Sequence, residues 1–201
     1  YSEVLGEKWD VQTGLTYSRN QLDIQQNFEL AQARRQWAGK VRARYYHSDQ
    51  LSLRFGTEGW SRKWEEGYLP EGESIIHSGL EDTYLAAFAE TDILFSNELA
   101  ARVGLWWSKH QSMQAADLAP RLSIAYKTGD NSQVSLAAGR FFQRPEDELF
   151  RYRPRGLRTE KSTHLIAGYQ YSTRARTFRA EVYRKTYDRL VSWQVGAPWT
   201  A

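Results

Sequence analysis

Four histidines, His47, His77, His110 and His164, are the first residues to test for chemistry. They lie far apart, and no two share the close spacing at which a chain usually supplies zinc ligands. The acidic runs Glu65-Glu66 and Glu146-Asp147-Glu148 have the residue type for general acid–base work. That work needs a fixed pocket that lifts one of two pKa values. Both runs sit in polar stretches, where solvated carboxylates are the simpler reading. No glycine-rich phosphate loop, nucleophile elbow or zinc motif occurs. The chain is therefore expected to be no enzyme and to need no metal or cofactor.

A different chemistry is written in Phe150-Arg151-Tyr152-Arg153-Pro154-Arg155-Gly156-Leu157-Arg158, where arginine alternates with aromatic and apolar residues. Stacking faces beside guanidinium groups suit nucleic acid. The rest of the chain offers no matching module, and a net charge of +3 marks no strong polyanion partner. Guanidinium forks fit the phosphates of lipopolysaccharide equally well. Arg151, Tyr152, Arg153 and Arg155, with Trp64 and Tyr68 near another connection, are the candidate ligand-binding residues. They suit a sugar, an aromatic chelate or an anionic group. Trp9, Trp37, Tyr45, Trp107 and Tyr171 are ligand platforms on one reading and membrane-interface aromatics on the other.

The elements that must position these groups are strands. Around residues 119–143, Leu122, Ile124 and Tyr126 alternate with Arg121, Ser123, Ala125 and Lys127, and Val134, Leu136 and Ala138 with Ser135, Ala137 and Gly139. Successive side chains of a strand point to opposite faces, so the pattern separates apolar from polar groups. Thr128-Gly129-Asp130-Asn131-Ser132 between them supplies turn residues, giving an antiparallel hairpin. The alternation recurs near residues 9–17, 36–46, 51–60, 83–94, 101–107, 165–171 and 178–185, for about nine strands. On this phase Leu53, Phe55, Val103, Leu105, Leu122, Ile124, Tyr126 and Leu136 share one face, and Arg54, Arg102, Arg121 and Lys127 the other. The phase is least clear near Phe88, which falls on the polar side.

The connections alternate as well. Those at 18–31, 69–81 and 145–159 read as long, the one after Lys109 as medium, and those at 48–50, 96–98, 128–132 and 173–175 as short. Eight Trp, twelve Tyr and eight Phe stand in a chain of which a quarter of the residues are charged. No apolar run approaches the ~20 residues of a spanning helix. An aromatic-rich, globally polar, strand-patterned chain fits an outer-membrane barrel, where only alternate residues meet lipid. The alternation by itself also fits a soluble sandwich; the alternating joints favour the barrel. Absent cysteine is compatible with an oxidising compartment. The chain opens at Tyr1 without an initiator Met and reads as an internal piece of something larger.

Leu118-Ala119-Pro120-Arg121-Leu122-Ser123-Ile124-Ala125-Tyr126, Asn131-Ser132-Gln133-Val134-Ser135-Leu136 and Ala138-Gly139-Arg140-Phe141-Phe142-Gln143-Arg144-Pro145-Glu146 resemble the barrel of a TonB-dependent outer-membrane receptor. Glu160-Lys161-Ser162-Thr163-His164, Phe178-Arg179-Ala180-Glu181-Val182-Tyr183 and Ala101-Arg102-Val103-Gly104-Leu105 are similar to flanking strands, particularly of Bacteroidetes-type members. The likeness covers roughly residues 51–190. It implies an all-β, antiparallel up-and-down transmembrane barrel of about 22 strands, of which this chain is one part of a single barrel domain. The family's plug domain and closing C-terminal strand are expected outside residues 1–201. The implied function is active uptake of a scarce nutrient (metal chelate, glycan, vitamin or peptide) across the bacterial outer membrane. Implied partners are outer-membrane lipid and lipopolysaccharide, TonB–ExbB–ExbD through the plug, and a surface lipoprotein, but no nucleic acid. A passive porin or a barrel-borne enzyme is the alternative, and a soluble all-β binding module a third reading.

Overall fold

The computed structural model describes residues 1–191 except 70, 73, 114, 147–148 and 150–156. Its strands are β1 (Ser2–Leu5), β2 (Trp9–Gln25), β3 (Glu29–Ser48), β4 (Leu51–Leu69), β5 (Ile76–Leu94), β6 (Leu99–His110), β7 (Ala116–Gly129), β8 (Ser132–Gln143), β9 (Glu160–Ser172) and β10 (Thr177–Asp188). Each pairs antiparallel with the next in sequence, giving one up-and-down sheet in the order β1 to β10. Among the described residues the sheet is open, with β1 at one edge and β10 at the other.

The β7–β8 hairpin shows why these residues make these strands. Leu122 pairs with Ala138, Ile124 with Leu136 and Tyr126 with Val134, while Ser123 faces Ala137 on the other side. Cross-strand pairs of one character on each face stabilise such a ladder. A register irregularity between Lys127 and Gly129 closes the turn, where the Thr128 and Ser132 hydroxyls lie 2.8 Å apart.

Three expected connections change. Residues 18–31 are almost all strand: β2 and β3 pair without a break from Trp9↔Tyr45 to Gln25↔Glu29, leaving a turn of residues 26–28. The connection expected at 69–81 shrinks to 70–75, because β4 and β5 stay paired as far as Tyr68↔Ile76. The medium joint reduces to 111–115. On β2 to β5 the outward positions turn polar at this height while Leu22, Ile24, Leu30, Trp64, Tyr68, Ile76 and Leu80 fall on the other phase, so the alternation reverses while backbone pairing continues. Only the connection from 144 to 159 stays long. All four joints still fall at one end of the sheet and the short ones at the other. Strand β1 adds a tenth, four-residue strand to the nine expected.

One face of this single layer is apolar and uncovered. Leu122 is 44% exposed, Ile124 39% and Leu136 57%, and Leu53, Phe55, Val103, Leu105 and Tyr126 join them. Buried apolar side chains are few among the described residues: Trp64, Ala86, Met113, Ala119 and Leu157. A soluble sandwich would bury the apolar face against a second sheet, and no second sheet packs there among the described residues. Aromatics mark both ends of the apolar band. Trp9 and Tyr45 pack at 4.8 Å near the short-turn end, and Tyr17 and Trp37 at 4.7 Å near the other. Eight residues separate the two levels on β2 and on β3, about 27 Å along a strand at ~3.4 Å per residue. A tilt of ~40° brings this to about 20 Å, close to the lipid-facing band of outer-membrane barrels.

Candidate functional site

The opposite face carries the groups with chemistry. The register places Arg54 of β4 beside Glu90 of β5 and Arg44 of β3, and Asp92 beside Arg102 of β6. Near the short-turn end these converge on one carboxylate. Arg54 Nη2 donates to Asp92 Oδ2 at 2.6 Å, Arg102 Nε to Asp92 Oδ1 at 2.5 Å, and Arg44 Nη2 stands 3.6 Å from Oδ2. Three guanidinium groups surround one aspartate, with Glu90 opposite Arg54 and Asp10 opposite Arg44 on the same face. Arg54, Arg102 and Arg121 thus lie on the face that the alternation assigns to them.

Further along the strands the same face becomes aromatic. Phe88 of β5 stacks on Trp106 of β6 with centroids 5.2 Å and planes 9° apart. The ring fits because Phe88 lies opposite Gly56: a Cβ there would stand 2.9 Å from the Phe88 ring, too close to be accommodated. Arg121 of β7 reaches over Trp106 at 5.6 Å and over Phe141 of β8 at 4.8 Å, a cation–π arrangement. Trp60 stacks on Tyr84 at 5.5 Å, Tyr84 meets His110 at 4.6 Å, and Arg62 lies 4.6 Å over Trp60.

Above this band, towards the long connections, polar groups tie the rim together. His110 Nδ1 and Asp82 Oδ2 are 3.1 Å apart, Ser112 N–H donates to Asp82 Oδ1 at 2.8 Å, and Arg144 Nε stands 3.1 Å from Asp82 Oδ2. The outward side chains at this level are Ser61, Lys63, Glu81 and Thr83, so Asp82 lies beyond the apolar band. Burial opposes its charge, but the hydrogen bonds from His110 and Ser112 outweigh that and hold its carboxyl below the usual aspartate value. Thr159 donates to Asp117 Oδ1 at 3.0 Å. Leu157 packs on Met113, with Leu80, Leu149 and Val191 alongside. Both ends of the connection from 144 to 159 are therefore fastened to the rim.

Between these anchors lies a recess of about 580 Å³. Arg34, Arg62, Arg121 and Arg144 line it against Glu58, Asp117 and Glu146, four guanidinium groups to three carboxylates. Trp60, Tyr84 and Trp106 supply ring surface. The arrangement can hold an anion while stacking a planar or apolar group.

Of the residues singled out in the sequence, Trp64 stands in β4, not in a connection. It is 2% exposed, so its ring offers no open face. Tyr68 is half-buried against Phe28, with centroids 5.9 Å apart. Arg151, Tyr152, Arg153 and Arg155 lie outside the described residues. The sequence reading missed Trp60, Tyr84, Phe88 and Trp106 as site residues, and weighed His110 only as a metal ligand. The signal was there: each is an aromatic or imidazole ring on the charged phase of the alternation. Among the described residues no group of histidines and carboxylates is arranged to hold a metal ion.

A single antiparallel layer, with an apolar, aromatic-edged outer face and a charged inner face, is part of the wall of a transmembrane β-barrel. The chain belongs to the TonB-dependent receptor family: the model described as "TonB dependent receptor-like, beta-barrel" matches residues 5–201. Among solved structures it is similar to the ferric yersiniabactin uptake receptor FyuA from Yersinia pestis, at a TM-score of 0.70 and 14% identity, covering 94% of this chain and 35% of that one. It is also similar to a chain of the FpvAI–pyocin S2 complex (0.72, 10%, 95% and 33%) and to the copper transporter OprC (0.69, 15%, 91% and 36%). At these identities the likeness is one of fold, and the chain spans about a third of each structure. No curated protein sequence matches it.

Proposed function

We propose that the chain is barrel wall of a transporter that actively imports a scarce nutrient across the bacterial outer membrane. It works in a larger receptor whose plug contacts TonB–ExbB–ExbD. The observation that carries this reading is the arginine- and ring-lined recess on the inner face, at the end of the long connections. Loops and rim groups on a rigid sheet are where a binding site is built without disturbing strand pairing. Of metal chelates, glycans, vitamins and peptides, an anionic chelate with planar groups suits four arginines and stacked rings best. The printed names of the structural neighbours, a ferric yersiniabactin uptake receptor and a copper transporter, support the same class. The wall does no chemistry of its own on this reading. Its surroundings are outer-membrane lipid with lipopolysaccharide, and a surface lipoprotein partner fits beside the rim.

The test uses the full-length receptor and a panel of labelled ferric and cupric chelates. Uptake of at least one should require TonB, and Trp106→Ala with Arg121→Gln should weaken its binding about tenfold or more, given the cation–π and charge terms removed. Uptake that is unchanged in cells lacking TonB would favour a passive porin instead.

A further inference from the structure

Two hollows lead from the recess towards the short-turn end of the inner face. One, of about 270 Å³, lies on β5 to β9 and is lined by Arg102, Arg121, Phe141 and His164 among others. It shares Arg121 with the recess, and Arg102, Ser123 and Ala137 with a third hollow of about 1100 Å³ beside the β3–β4 turn. The three thus form one unbroken track down the wall. On β7 the track runs from Asp117 to Ala125, eight residues or about 27 Å at ~3.4 Å per residue. The other hollow, of about 420 Å³, lies on β2 to β6. It meets the recess at Glu58 and Trp106 and the third hollow at Arg44.

The two routes differ in what a passing solute meets. On the first, Gly104, Ser123, Ala137 and Gly139 leave the backbone almost bare, and Glu90 is the one carboxylate. The second is lined by Asp10, Glu58 and Glu90 against Arg42, Arg44 and Arg54. An anion is therefore repelled by three groups on the wider route and by one on the narrower. Arg121 stands midway down the narrower route. Its partners across the ladder are Gly104 and Gly139, which bring no charge beside it. Among the described residues it makes no ion pair; its Nε is buried without a hydrogen-bond partner, and its guanidinium rests on the Trp106 and Phe141 rings. Arg102, next to it towards the short turns, is already bonded to Asp92. A conducting wall must attract a solute enough to admit it and hold it weakly enough to release it. One uncommitted cation on a bare wall meets both conditions.

We propose that the inner face of β6 to β9 is the path along which an anionic solute passes from the recess to the periplasmic end, with Arg121 as the stop on the way. The proposal rests on the transport reading above. It adds the side of the barrel on which passage opens when the plug moves.

Bulk placed on the path tests this in the full-length receptor, with the same panel of labelled ferric and cupric chelates. Ser123 and Ala137 pair on one rung, and Ser123→Trp with Ala137→Trp should abolish chelate uptake while leaving chelate binding unchanged. Gln12→Trp, placed in the β2–β6 hollow instead, should leave both unchanged. Labelling gives a second measurement free of large side chains, and it decides alone if the double variant fails to fold. The chain has no cysteine, so Ser123→Cys or Gln12→Cys can be made the receptor's sole thiol. A membrane-impermeant maleimide should react several-fold faster at Ser123→Cys when the chelates are added to cells with TonB, and at one rate throughout at Gln12→Cys. Uptake that survives the double variant, or equal acceleration at both cysteines, would overturn the path and leave the transport reading intact. Lost chelate binding in the folded double variant, or a plug newly open to added protease, would make this face the plug's seat and overturn the path as well. Absence of TonB-dependent uptake by the wild-type receptor would overturn both readings.

Discussion

His110 of β6 and Asp82 of β5 meet at 3.1 Å, His110 Nδ1–H donating to a carboxylate that is 2% exposed. The contact joins two strands to the turn at Ser112 and to Arg144 at the base of the longest connection. Removing one member of a buried, paired set leaves the others uncompensated, so Asp82→Ala should destabilise the folded barrel by about 3 kcal/mol. Denaturant unfolding of the refolded full-length receptor measures it. A loss below about 1 kcal/mol would mean that Asp82 is not the anchor described.

The same carboxylate sets a pH dependence. Its folded pKa lies below its unfolded value of about 3.9. The stability it contributes is complete above that value and is lost as the pH falls through the lower, folded value. The difference in stability between the native receptor and Asp82→Asn should therefore hold from neutral pH to about 4 and shrink below it. A difference that grows on acidification contradicts the assignment.

Ile124 points outward from β7, between Leu122 and Tyr126 on the same face. An arginine there meets hydrocarbon, and Ile124→Arg should destabilise the barrel by about 2–4 kcal/mol. Spin labels at Leu122 and Ser123 give the companion measurement. Leu122 should be the more accessible to dissolved oxygen and Ser123 to a water-soluble quencher; the reverse pattern would turn the sheet inside out.

Residues 1–201 expressed alone should aggregate in buffer. Among the described residues the sheet ends in unpaired β1 and β10, and one whole face is apolar. Free strand edges and large apolar patches both seek partners. Analytical ultracentrifugation reads the outcome, and a cooperatively melting monomer without detergent speaks against the barrel.

Topology is open to a whole-cell test. A peptide tag at Gly72, in the 70–75 connection, should be reached by antibody on intact cells, and one at Asp130, in the β7–β8 turn, should not. The opposite result would place the recess on the periplasmic side.

What the sequence made legible was the level of the chain that lipid reads. Leu122, Ile124 and Leu136 announce the outer face because hydrocarbon tolerates only apolar side chains there, and that alternation is strong. Residues 18–31 hid their strands because the outward phase turns polar at that height while Leu22, Ile24 and Leu30 take the inner phase, which reverses the pattern without interrupting the pairing. Phe88 looked misplaced for a related reason. Nothing local says that Trp106 waits on the neighbouring strand or that Gly56 makes room across from it. Trp64 looked like a platform beside a loop, yet its burial depends on which strands and connections close around it. Proximity across the sheet is set by register, and the short alternation of a single strand does not encode it.

Strand length gives the wall one more consequence. Strands β2 to β5 run 17 to 20 residues, whereas β6 to β10 run 12 to 14. About six extra residues at ~3.4 Å each raise two hairpins by roughly 20 Å of strand above their neighbours. The rim is thus a parapet on one side and a low sill on the other, and the recess opens beside the sill. Along this sheet the recess therefore has tall strands beside it on the β2–β5 side and shorter ones on the β6–β10 side. Trimming the outermost rungs of the β4–β5 hairpin, from Tyr68↔Ile76 to Glu65↔Gly79, would lower that wall while leaving Trp60, Arg62 and Tyr84 of the recess in place.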